Sequence, residues 1–177
     1  MTQGKTILLL GAYGLAGQAI LRALVYRGLS VAAAGRNEHK LLFAIEAVNT
    51  EFPESQIRPA VFNLQDEGAL MRELASASVV INAVGPYLEH GEAIARKALE
   101  TSTHYIDIAS EQEHYRRLKR LSPSAASARS STSIADDLSI VRLRSQLNTF
   151  REYQSMIAVR YTKPLPRRLY VKSMTHT

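Results

Sequence analysis

Gly11, Gly14 and Gly17 stand in the run Gly11-Ala12-Tyr13-Gly14-Leu15-Ala16-Gly17, directly after the apolar stretch Thr6-Ile7-Leu8-Leu9-Leu10. A glycine turn between a strand and a helix is suited to hold an anion. Gly11 permits the tight turn, Gly14 lets the backbone approach a pyrophosphate, and Gly17 allows the helix to pack close to the strand. Free N–H groups and the positive end of the helix dipole then stabilise the phosphates. Three glycines in isolation specify no more than a tight turn. Here the flanking strand and helix patterns make the loop a dinucleotide-binding fingerprint, with Ala12, Tyr13 and Leu15 as further loop contacts.

The end of the second strand selects the dinucleotide, because an acidic residue there binds the ribose 2′-hydroxyl of NAD and repels the 2′-phosphate of NADP. This chain has Arg36, 19 residues beyond Gly17. A guanidinium contacts phosphate bidentately and stacks on adenine, so NADPH is expected in preference to NADH. Asn63 and Leu64 fall where the adenine edge rests. Asn82-Ala83-Val84-Gly85-Pro86-Tyr87 falls at the carboxyl end of the fourth strand, giving Ala83, Gly85 and Tyr87 as further cofactor contacts, and Asn82 as either a contact or a structural residue.

Candidate catalytic groups are weaker. Tyr115 and Lys119 match the Tyr-x-x-x-Lys spacing in which a lysine lowers a tyrosine pKa for proton exchange with a substrate. Chance also produces such a pair in a chain with eight tyrosines, and a solvated basic helix face is the competing reading. Asp107 and Glu111 read as a carboxylate pair at the sheet edge, or Glu111 as a cap of the following helix. His39, His90, His104, His114 and His176 lack the spacing of an imidazole metal site, so no metal is expected.

The elements that must position these residues follow from periodicity. Leu15 to Gly28 has helical spacing, and Val31 to Ala34 is a second apolar run. Asn37 can cap a helix reaching about Glu51. Ile57 to Asn63, Val79 to Ala83 and His104 to Ile108 read as strands, Asp66 to Ala75 and Glu92 to Leu99 as helices. Strands alternating with helices imply right-handed crossovers and a doubly wound parallel sheet of the Rossmann type, α/β, in the order 3-2-1-4-5.

Composition divides the chain of 177 residues into a domain at 1–121 and a tail at 122–177. All nine glycines lie at or before Gly91, and Ser122 to Ser133 holds six serines in twelve residues, a linker-like composition. Residues 1–111 hold nine of the 22 Lys and Arg and twelve of the 16 Asp and Glu, so the net charge of +6 belongs to the tail. The tail is expected to be irregular, basic and either disordered or foreign to the domain, through truncation or a change of reading frame. It lacks the aromatic pattern of a known nucleic-acid module, and nucleic acid is not an expected partner. The chain has no cysteine, no run of about 20 apolar residues, and a strand pattern that begins too early for a signal peptide. The expectations are a cytoplasmic protein with no membrane partner, and a homodimer that covers the open sheet edge.

Taken together, these residues resemble the NADP-binding domain of the saccharopine dehydrogenase-like family, which includes trans-acting enoyl reductases. The resemblance covers about residues 5–121. It rests on Gly11 to Gly17 with Ala34-Gly35-Arg36, on Val84 to Tyr87 followed by Gly91-Glu92, and on His104-Tyr105-Ile106-Asp107 followed by Glu111. It implies an NADP(H)-linked oxidoreductase with the Gly11 loop and Arg36 as cofactor contacts, and it transfers no catalytic base. Ala109-Ser110-Glu111 departs from the family's usual glycine before the glutamate, and members continue into a substrate domain that residues 122–177 do not resemble. The expected function is therefore an NADP(H)-binding domain with an incomplete substrate site and unassigned substrate. The alternatives are a non-catalytic NADP(H)-binding or redox-sensing module and a truncated remnant.

Overall fold

A computed structural model of the chain describes residues 6–121 and 128–130. The expectations for the rest of the tail lie outside the described residues. The elements run β1 (Thr6–Leu10), α1 (Leu15–Tyr26), β2 (Val31–Gly35), α2 (Glu38–Glu51), β3 (Ile57–Val61), α3 (Glu67–Ser76), β4 (Ala77–Asn82), α4 (Tyr87–Glu100), β5 (His104–Asp107), α5 (Gln112–Leu121) and β6 (Ala128–Ser130). The sheet is parallel in the order β3-β2-β1-β4-β5-β6. The expected 3-2-1-4-5 order is present. A short sixth strand, paired to β5 from Tyr105–Ala128 to Asp107–Ser130, extends it into the serine-rich stretch that composition alone reads as a linker.

Alternation along the central strands divides the core between the two faces of the sheet. Leu8, Leu10, Ala32, Ala34 and Val80 face Leu70 and Leu74 of α3, Ile94, Ala95 and Ala98 of α4, and Leu118 of α5. Leu9, Val31 and Ala33 face Leu21 and Val25 of α1 and Leu41, Ile45 and Val48 of α2. A central strand buried on both faces has to be apolar throughout, which is why β1 and β2 read as unbroken runs.

The helix ends follow local chemistry. Asn37 Oδ1 accepts from the Lys40 N–H at 2.9 Å, the cap expected for α2, and Asp66 Oδ1 accepts from the Ala69 N–H at 2.9 Å at the start of α3. Each such cap is worth about 1 kcal/mol. Gly28, at φ +70°, ends α1 with its N–H on the Val25 carbonyl and the Leu29 N–H on that of Leu24. α4 begins at Tyr87, five residues before the expected Glu92, and so projects its first turn over the carboxyl edge of the sheet.

Candidate dinucleotide site

The loop after β1 is built from backbone contacts that require its glycines. Gly11 adopts φ +81°, a region that L side chains rarely enter. Its N–H and that of Ala12 both donate to the Ala34 carbonyl at 3.0 Å, which ties the loop to the end of β2. The Gly14 N–H donates back to the Gly11 carbonyl at 2.9 Å. A Cβ on Gly17 would collide with the Gly11 carbonyl oxygen and reach 3.0 Å from Ala12 Cα. Gly14 supplies no side-chain cap to α1, so the N–H groups of the first turn are left for an anion.

Above the carboxyl ends of β1, β2 and β4 lies a cavity of about 320 Å³. It brings together Gly11, Tyr13 and Gly14 of the loop, Arg36, Asn63 and Leu64 beyond β2 and β3, and Ala83 and Gly85 beyond β4. All eight are residues singled out from the sequence. Ala12 is fully buried under the loop and Leu15 is 95% exposed, and neither lines the cavity. Gly35, Phe62, Gln65, Val84 and His90 line it without having been anticipated. Gly35, Gln65 and Val84 adjoin anticipated positions. His90 had no such signal, because the helix that carries it starts earlier than its apolar pattern.

Tyr13 shapes the wall between the loop and β2. Its ring covers the backbone of Gly35, where an added Cβ would stand 2.5 Å from Tyr13 Cε1 and 2.7 Å from Cδ1. The Gln18 amide holds the Tyr13 carbonyl at 3.0 Å. Arg36 follows at once, exposed on the rim of the cavity.

Beneath the β4 side of the cavity lies a polar group with no access to solvent. Asn82, Tyr105, Asp107 and His114 are each 0% exposed. Asn82 Oδ1 accepts from the Val84 N–H at 3.0 Å, and its amide donates to the Tyr105 hydroxyl at 3.0 Å. Asp107 Oδ1 accepts from the Ala109 N–H at 3.0 Å, and Oδ2 lies 2.6 Å from His114 Nε2. Asn82 is therefore a support of the loop and is not on the cavity wall. Tyr87 does not line the cavity either; its ring packs on His114 with centroids 5.8 Å apart. Burial, and then the charges of Asp107 and Glu111, push the Tyr87 phenol up to about 12. Burial first and Asp107 second raise Tyr105 further above its ordinary value.

The other candidate chemistry lies elsewhere. Tyr115 and Lys119 are on α5 and do not line the cavity, and the Lys119 ammonium stands over the ring face at 5.3 Å from the centroid. Asp107 is taken by His114, and Glu111 Oε2 accepts from the Ser110 N–H at 2.9 Å, so the two carboxylates have separate partners. Among the described residues there is no cluster of three or more metal-ligating side chains, and no helix is long and apolar enough to cross a membrane.

The sheet order and a glycine-walled cavity at its carboxyl edge define a dinucleotide-binding domain of the Rossmann type. The chain belongs to the saccharopine dehydrogenase NADP-binding domain family, whose model matches residues 7–135, and its cofactor is accordingly a nicotinamide dinucleotide, NADP. It is 35% identical over 111 residues to a lipid droplet localized protein of Caenorhabditis elegans, covering 59% of this chain and 26% of that one. It is 28% identical over 122 residues to a probable mitochondrial saccharopine dehydrogenase-like oxidoreductase of Arabidopsis thaliana, covering 64% and 27%. The chain thus spans about a quarter of the length of these relatives. Among solved structures, the apo saccharopine dehydrogenase (L-Glu forming) of Saccharomyces cerevisiae shares its fold with a TM-score of 0.53 at 24% identity, over 67% of this chain and 24% of that one.

Proposed function

We propose that this chain is the NADP(H)-holding part of an oxidoreductase and that it prefers NADPH to NADH. The observation that carries the reading is Arg36 on the rim of the cavity, with no carboxylate among the cavity-lining residues. Arg36 would hold the 2′-phosphate, and the Gly11 loop with the open first turn of α1 would hold the pyrophosphate. Asn63 and Leu64 would border the adenine. Ala83, Val84, Gly85 and His90 would then border the nicotinamide end. The group supplies hydride chemistry when bound, and the protein's share is to bind and orient it.

A non-catalytic holder of NADP(H) is the second reading. It is favoured by the placement of Tyr115 and Lys119 away from the cavity, which leaves His90 and Tyr13 as its only proton-exchanging side chains among the described residues. Oxidation of bound NADPH in the presence of a panel of carbonyl and enoyl acceptors separates the two.

Calorimetric titration with NADPH and NADH tests the shared core of both readings. The wild-type protein should bind NADPH more tightly than NADH. Arg36→Asp should weaken NADPH binding by about 30- to 100-fold, the scale of a lost charge-assisted contact made worse by like-charge repulsion. Equal affinities for the two dinucleotides, or an Arg36→Asp protein that still binds NADPH like the wild type, would overturn the assignment.

A further inference from the structure

Three segments flagged for their residue pattern meet at one imidazole that the cofactor contacts leave unexplained. His114 of α5 lies fully buried with its Nε2 on Asp107, its ring on Tyr87, and its edge against the backbone of Gly91 in α4. A Cβ at Gly91 would overlap the ring, reaching 3.0 Å from Nε2 and 3.1 Å from Nδ1. Glycine in the second turn of a helix costs stability relative to alanine, and here its lack of a side chain makes the room for the imidazole.

The direction of the hydrogen bonds follows from the donors. Asp107 accepts from a backbone N–H on one oxygen and faces His114 on the other. A carboxylate that accepts on both oxygens assigns the proton of a neutral imidazole to Nε2. Nδ1 is then a bare acceptor, and it is the buried side-chain polar atom that has no partner among the described residues. An unmet acceptor is the cheaper choice, since orphaned donors are the rarer case in proteins. The Tyr105 hydroxyl, which also interacts with Asp107, accepts from the Asn82 amide, and the Asn82 carbonyl oxygen accepts from Val84. Val84 is a wall of the cavity.

We propose that the buried Asp107–His114 pair is a positioning device for the cofactor: through Tyr105 and Asn82 it holds the Val84–Tyr87 loop in the shape that receives the nicotinamide end of the dinucleotide. This rests on the cofactor reading above. His114, Asp107, Tyr105 and Asn82 are positioning residues with no contact to the ligand. The pair also pins α5 to the first turns of α4, so that both ends of the loop are fixed from below.

The test uses the full chain with Tyr105→Phe, His114→Leu and His114→Gln, the last keeping a donor for Asp107. Two quantities are read for each folded variant: the Kd for NADPH, and the exchange protection of the Val84 amide without ligand, measured by NMR. Tyr105→Phe and His114→Leu should raise the Kd about three- to tenfold and expose the Val84 amide, and His114→Gln should restore part of both. Should His114→Leu fail to fold, Tyr105→Phe, which removes one oxygen, decides the matter. Folded variants with wild-type Kd and wild-type Val84 protection, whatever their melting temperatures, overturn the proposal and reduce the pair to core packing. Failure of the wild-type protein to bind NADPH, with Val84 protection still dependent on His114, would remove the cofactor reading and leave a loop support alone, which also overturns the proposed role.

Discussion

Tyr87 is one of two tyrosines, with the fully buried Tyr105, at which alkaline pH should act on this fold. Its phenol is raised to about 12 because burial and the neighbouring carboxylates Asp107 and Glu111 disfavour the phenolate. In the unfolded chain the same group ionises near its ordinary value of about 10. A group whose pKa is raised on folding contributes fully below the unfolded value and loses that contribution as pH climbs through the folded one. Stability should therefore be insensitive to Tyr87 below about pH 10 and fall between about 10 and 12. Tyr87→Phe should flatten the decline in that window, as measured by denaturant midpoints across the alkaline range. An identical alkaline slope in the variant would show that the ring is better solvated than its packing on His114 indicates. At this scale the sequence was most readable where a residue acts through its own backbone, as at Gly11 and Gly17. It was least readable at His114, whose partners Asp107 and Tyr87 are brought to it only by the fold.

At the scale of elements, the end of α4 carries a correctable strain. Ser102 adopts φ +57° in the turn that returns the Ser102 N–H to the Leu99 carbonyl and the Thr103 N–H to that of Ala98. The same turn closes α1 with glycine at position 28. Ser102 is exposed, so Ser102→Gly relieves the left-handed conformation without removing a buried contact. It should raise stability by about 1 kcal/mol, read from chemical denaturation; a loss would mean that the serine side chain compensates for its own backbone. The central strands, the cap at Asn37 and the sheet order were legible because local pattern and tertiary burial agree there, whereas Asp66, read as the first residue of its helix, caps α3 from outside it. The early start of α4 was not. Tyr87-Leu88-Glu89-His90 carries no helical apolar repeat, and Gly91 reads as a break until the imidazole beside it is seen. Three-residue β6 is too short for any periodicity to announce it.

For the molecule as a whole, the cavity lies where β1, β2 and β4 end together, so a ligand there bridges both halves of the sheet. A ligand that binds only the folded state stabilises it by mass action, by about 2.7 kcal/mol at a concentration 100 times its Kd. NADPH at that excess should raise the melting temperature by roughly 5 to 10 °C, followed by scanning calorimetry, and the increment should shrink at the same NADPH concentration in Arg36→Asp. An unchanged melting temperature at saturation would mean that the folded and unfolded chains hold the cofactor alike. The site was legible as a set of loop ends because a doubly wound sheet gathers its turns on one edge. The support beneath it was hidden, since a buried polar network leaves no period in a sequence.

Tyr13 and Gly35 belong to different segments, yet one ring fills the space that a side chain on the other would need. A side chain at position 35 therefore requires the Tyr13 ring to move, which couples the end of β2 to the loop after β1. Arg36, exposed on the rim, carries no such tie. A search for altered nucleotide preference thus finds position 36 open to single exchanges, and position 35 open to larger side chains where the ring at position 13 gives way.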